Sequence, residues 1–85
     1  MRQNKYEVIL RLMEWMPKIK AYTLRLMLYL ITVMNDEDWI QVTQAVIKEN
    51  TGMGSRAVTL AIAEAEELGL IKRYPPRNSL FRVLI

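Results

Sequence analysis

All three glycines of the chain, Gly52, Gly54 and Gly69, fall within one stretch that reads Thr51-Gly-Met-Gly-Ser-Arg-Ala-Val-Thr-Leu-Ala-Ile-Ala-Glu-Ala-Glu-Glu-Leu-Gly-Leu-Ile71. Glycine takes positive φ without a Cβ clash, so a glycine pair suits a tight turn and a single one suits the left-handed end of a helix. Between them Val58, Ile62, Ala65 and Leu68 recur at steps of 4, 3 and 3, the spacing of one buried helix face. The stretch predicts a turn in which Gly52 and Gly54 supply the positive φ, then a helix over 55–68 capped by Gly54 or Ser55 and ended at Gly69. Arg56, Ala57, Thr59, Leu60, Ala63 and Glu64 are left mostly outside.

The rest of the chain has to complete one small core around that helix. With 85 residues, roughly 60–65% of the unfolded surface can be buried, enough for a single hydrophobic cluster. An apolar fraction of 52% excludes a disordered tail and leaves some apolar surface for self-association. The sequence holds no cysteine and no histidine. That removes disulfides, thiolate chemistry, the usual zinc sites and the usual general base. No base–nucleophile pair is visible either, so we expect no enzyme, no catalytic residue, no metal, no cofactor and no small-molecule ligand.

The first residues carry Arg2, Lys5 and Glu7 and lack the apolar run of a signal peptide. The longest uncharged stretch, 26–35, is about half of what spans a bilayer. The expectation is a cytoplasmic protein with no membrane segment.

Periodicity lays out the remaining elements. Residues 4–16 predict a helix with Tyr6, Ile9, Leu10, Met13 and Met16 on one face and Val8, Leu12 and Trp15 on a second. One small core does not need both faces. The surplus predicts a homodimer contact drawn from Tyr6, Ile9, Leu10, Leu12, Met13, Trp15 and Met16. Pro17 ends this pattern or opens the next helix. Residues 18–34 are apolar nearly all round and predict the central helix, with Lys18, Lys20 and Arg25 at its solvated start. The methionines Met13, Met16, Met27 and Met34 read as hydrophobic filler.

After the polar turn 35–38, Trp39–Val42 predicts a short strand, and Thr43 caps a two-turn helix over 44–50 with Val46 and Ile47 inward. Leu70–Tyr74 and Leu80–Ile85 predict a hairpin joined by 75–79. On its second strand Phe81, Val83 and Ile85 share one face by alternation. The fold class expected is therefore α+β, mostly α, with a small antiparallel sheet. It divides into an N-terminal helix, 1–16, and a domain over 17–85.

Charge is distributed unevenly. Residues 1–25 sum to +4, residues 26–67 to −5 and residues 68–85 to +4. The last segment carries Lys72, Arg73, Arg77 and Arg82 with no acid, a pattern that suits a polyanion.

In their order, and in the run Val42-Thr-Gln-Ala-Val-Ile-Lys-Glu-Asn-Thr-Gly-Met-Gly-Ser-Arg-Ala-Val58 with its Glu-Leu-Gly-Leu-Ile ending, residues 21–85 resemble the winged helix-turn-helix superfamily. Its members include transcription regulators and replication initiators of bacteria, archaea, phages and plasmids. The resemblance implies that 55–68 is the recognition helix and that 75–79 is the tip of the wing. It implies double-stranded DNA as partner. Ser55, Arg56, Thr59 and Leu60 would face the major groove; Thr43, Gln44, Lys72, Arg73, Arg77, Asn78 and Arg82 would meet the backbone or minor groove. Ala57, Leu60 and Ala63 stand where many relatives carry polar readers, and Gly54 where many carry serine. The alternative is a winged helix used for protein contact through the apolar strip Ala57, Leu60 and Ala63.

Overall fold

The computed structural model describes residues 4–34, 39–74 and 77–85, apart from the side chains of Arg77 and Asn78. Its first helix, α1 (Lys5–Trp15), starts where Asn4 Oδ1 accepts the Tyr6 N–H at 2.8 Å. Of its two apolar faces, the one carrying Val8 and Leu12 is buried, at 0% and 1% exposure. Trp15 and Ile9 are half-buried against the core, while Tyr6, Leu10, Met13 and Met16 are exposed. Leu12 is thus part of its own protomer's core and is withdrawn from the expected dimer contact. Met13 and Met16 likewise fill no core space.

α1 stops at Trp15, just ahead of Pro17, and Pro17 occupies the first turn of the next helical segment, as the sequence predicts. That segment is a separate 3₁₀ turn, Met16–Lys18, and α2 (Ala21–Val33) begins three residues later than its apolar pattern suggests. Lys20, the N-cap of α2, has no capping side chain of its own. Glu64 supplies the acceptor from another helix: its Oε1 takes the Lys20 N–H at 3.0 Å. The buried Thr23 hydroxyl lies beside the same carboxylate, without a hydrogen bond of good geometry. Thr23 and the Lys20 N–H, opposed by partial burial and helped by the Lys20 charge, hold the Glu64 carboxyl below its ordinary value. At the other end of α2, Lys5 Nζ donates to the Thr32 carbonyl at 3.0 Å, pinning the start of α1 to the negative end of α2.

Along α2 the buried positions are Thr23, Leu26, Met27, Leu30 and Ile31. Leu28 and Val33 reach solvent, so this helix is one-sided despite its composition.

Strand β1 (Trp39–Gln41) leads to α3 (Gln44–Thr51), whose N-cap is Thr43, with Oγ1 accepting the Val46 N–H at 3.2 Å. Ile47 of α3 is fully buried, but Val46 is 37% exposed and is not an inward residue. Gly52, at φ 73°, closes α3 in the left-handed region, where an L side chain would be strained. Met53 tucks into the core between the two glycines. Gly54 departs from expectation: at φ −78° and ψ 171° it is an ordinary extended N-cap, so only one turn glycine is needed for its conformation.

Helix α4 (Ser55–Glu67) buries Val58, Ala61, Ile62 and Ala65. Ala61 and Ala65, both fully buried, let it lie close along α2, the helix it packs against most. Leu68, expected on the buried face, is the helix's C-cap and is exposed; Gly69 at φ 76° then reverses the chain.

The sheet is antiparallel, with β2 (Ile71–Tyr74) and β1 on either side of β3 (Arg77–Val83). Arg77–Ser79 belong to β3 and not to a five-residue loop, and 75–76 lie outside the described residues. Phe81, Val83 and Ile71 face the core and, with Ile40, close it over the helices. Val8 and Leu12 of α1 join this one cluster. No helix among the described residues is long and apolar enough to cross a membrane.

Candidate nucleic-acid interface

The positive end of α4 is the polar, uncovered end of a helix whose inner side is packed into the core. Gly54 contributes no side chain, and no side chain caps the N–H groups of the first turn. Ser55, Arg56, Thr59 and Leu60 are all exposed, with Leu60 at 39%. Thr59 Oγ1 donates back to the Ser55 carbonyl at 2.9 Å, which engages its proton within the helix and leaves its methyl and its lone pairs outward. Free N–H groups at a helix start favour an anion, and the exposed Arg56 in that same first turn adds a donor fork. Ala57 is half-buried against the core, so the apolar strip expected with Leu60 and Ala63 is narrower than the sequence suggests.

Thr43 and Gln44 sit at the start of α3. Thr43 is exposed with its oxygen engaged in the cap, and Gln44 is half-buried.

The strand cations divide between the two sides of the sheet. Lys72 of β2 is in register with Arg82 of β3, and Arg82 with Trp39 of β1, so these three side chains share the outer face. Tyr74 joins them: its ring centroid is 4.5 Å from that of Trp39, Lys72 Nζ lies 5.0 Å from the Tyr74 centroid, and the Arg82 guanidinium lies 5.5 Å from that of Trp39. The two cations are exposed and held over aromatic faces, an arrangement that orients them without neutralising them.

Arg73 does not belong to this set. It is in register with Phe81 on the opposite face, and its Nη2 lies 3.0 Å from Glu66 Oε1 on α4. Its role is to tie β2 to α4, which removes it from the expected phosphate contacts. Arg77 and Asn78 have strand backbone, and their side chains lie outside the described residues.

Two acids at the far end of α4 are likewise structural, Glu64 capping α2 and Glu66 pairing with Arg73. Trp39 and Tyr74 are the site-forming residues that sequence reasoning missed. Alternation carries the signal: Tyr74 is two residues from Lys72, and Trp39 flanks the inward Ile40. Among the described residues no group of three or more acidic side chains could hold a metal ion. Protein-family models, curated proteins and solved structures were each compared with the chain, and none matches.

Proposed function

We propose that this chain is a winged helix-turn-helix protein that binds double-stranded DNA, acting as a transcription regulator or in replication initiation. In this reading α3 and α4 are the helix pair, α4 enters the major groove by its first turn, and the β2–β3 hairpin is the wing. The observation that carries the reading is α4 itself. One side of it is locked into the core by Val58, Ala61, Ile62 and Ala65, while its start presents Ser55, Arg56, Thr59 and Leu60 to solvent. A rigid helix with an uncapped, cationic start is suited to meeting phosphate and base edges together.

Arg56 is the residue we assign to a guanine edge, and Thr59 and Leu60 to a thymine methyl. Lys72 and Arg82 supply sequence-independent attraction from the sheet's outer face.

Fluorescence anisotropy with a random labelled duplex tests this directly. If about four phosphates are neutralised, affinity falls on the order of 100-fold between about 50 and about 200 mM salt. No binding at the lower salt, or binding that ignores salt, overturns the proposal. Arg56→Ala is expected to flatten the preference among sequences selected from a random pool, with lesser effect on binding to random duplex.

A further inference from the structure

We propose that a second copy of the chain docks on the outward side of α1, with the two α1 helices antiparallel. At 3.6 residues per turn, Tyr6, Leu10 and Met13 line up on the side of α1 almost opposite the buried Val8 and Leu12. They are 67%, 45% and 55% exposed, and Tyr6 and Met13 are the most exposed large apolar side chains among the described residues. Ile9 and Met16 flank this stripe on one edge. Glu7, Arg11 and Glu14 flank it on the other, all exposed. The Lys5–Thr32 bond and the burial of Val8 and Leu12 hold α1 in place, so the stripe is presented on a fixed helix.

Charge selects the occupant and its direction. The two acids beside the stripe disfavour an anionic lipid surface or a nucleic acid. A twofold axis across the helices, passing near Leu10, brings like edges together and sets Arg11 level with the second copy's Glu7, in two reciprocal pairs. The same symmetry packs Tyr6 on the other Met13, a favourable sulfur–aromatic contact, and Leu10 near its own counterpart. A parallel pair would instead lay the Glu7–Glu14 edge against the apolar Ile9–Met16 edge. With its charged flanks the stripe offers on the order of 500 Å² per copy, so the pair buries about 1,000 Å², the lower limit of specific interfaces. Weak, reversible association is expected of an interface at that limit.

Sedimentation equilibrium of the full chain without DNA, over about 1–200 μM, is expected to show a reversible monomer–dimer equilibrium. Leu10→Glu is expected to abolish the dimer with the circular dichroism unchanged. Arg11→Glu should weaken it at least tenfold, and Glu7→Arg with Arg11→Glu in the same chain should restore it. The native sequence has no cysteine, so Leu10→Cys gives a single thiol near the twofold and should cross-link readily on oxidation. Tyr6→Cys places the two thiols about 10 Å apart along the axis and should not. A monomer at every concentration, or a dimer indifferent to Leu10→Glu, overturns the proposal. Failure of the charge swap to restore association, or equal cross-linking through Tyr6→Cys, overturns the antiparallel arrangement. These readouts are made without DNA and stand apart from the DNA-binding reading.

Discussion

Removing the Glu64 carboxylate tests whether the two longest helices are joined by a cap borrowed across the fold. Its Oε1 accepts the Lys20 N–H at 3.0 Å, at a helix start that has no capping side chain of its own. A lost N-cap oxygen costs about 0.5–2 kcal/mol, and a negative charge at a helix start contributes about 0.3–1 kcal/mol more. Because Glu64 is partly exposed, solvent screening holds the charge contribution to the low end. Glu64→Ala should therefore destabilise by about 1–2 kcal/mol, lowering the melting temperature by about 5–15 °C at this chain length. Glu64→Gln keeps an acceptor and should lose less than about 1 kcal/mol.

The pH dependence has a definite sign. The Thr23 hydroxyl and the Lys20 N–H hold the folded-state pKa below 4.5. The stabilisation is thus present above that value and is lost as pH falls through the folded-state pKa. Urea unfolding followed by far-UV circular dichroism should show the gap between native protein and Glu64→Gln at about pH 7, and a smaller gap at about pH 3. If Glu64→Ala changes stability by less than about 0.3 kcal/mol, or if the Gln gap is the same at both pH values, the cap does not carry the weight given to it here.

Other expectations follow from the same geometry. Leu12→Ala should cost about 2–5 kcal/mol in urea unfolding, whereas Leu10→Ala should change the monomer's stability by less than about 1 kcal/mol, since only the first empties a filled core site. Gly52→Ala, at φ 73°, should cost about 1–2 kcal/mol, while Gly54→Ser, at φ −78° with nothing within 4 Å of a new Cβ, should be neutral or stabilising by a few tenths of a kcal/mol; thermal melts distinguish them. Arg82→Ala should weaken binding to all duplexes and reduce the salt slope by about 1, whereas Arg73→Ala should lower stability through the lost Glu66 pair and leave that slope nearly unchanged.

Local chemistry announced the elements well. Thr43 caps its helix, Gly69 ends one in the left-handed region, and Val58, Ile62 and Ala65 are buried as their spacing requires. What sequence periodicity left open was the choice among similar surfaces. In α1 both faces are apolar, and only the placement of α2 decides that Leu12 is inside and Leu10 outside. Ala61 is buried because α2 lies close, a tertiary fact that small size permits but does not announce. Leu68 stands just past the last helical residue, where extrapolating the helical spacing no longer holds. The strand cations show the same limit at the candidate interface. Arg73 and Lys72 are neighbours in a basic run, yet the register opposite Phe81 turns Arg73 toward Glu66 while Lys72 faces outward.

The middle strand of the sheet is the one that comes last in sequence. Both β1 and β2 pair only with β3, and β1 lies some forty residues ahead of its partner, as the Trp39–Arg82 register shows. The helices can form from contacts near in sequence, but neither outer strand has a ladder to join until β3 arrives. The β2–β3 hairpin closes locally, whereas docking β1 on β3 closes a loop of some forty residues, which places the slow step of sheet formation there rather than in the hairpin or the helices. A lesion in β3, such as one at Phe81, would release both outer strands together and separate Lys72 on β2 and Trp39 on β1 from Arg82 on β3.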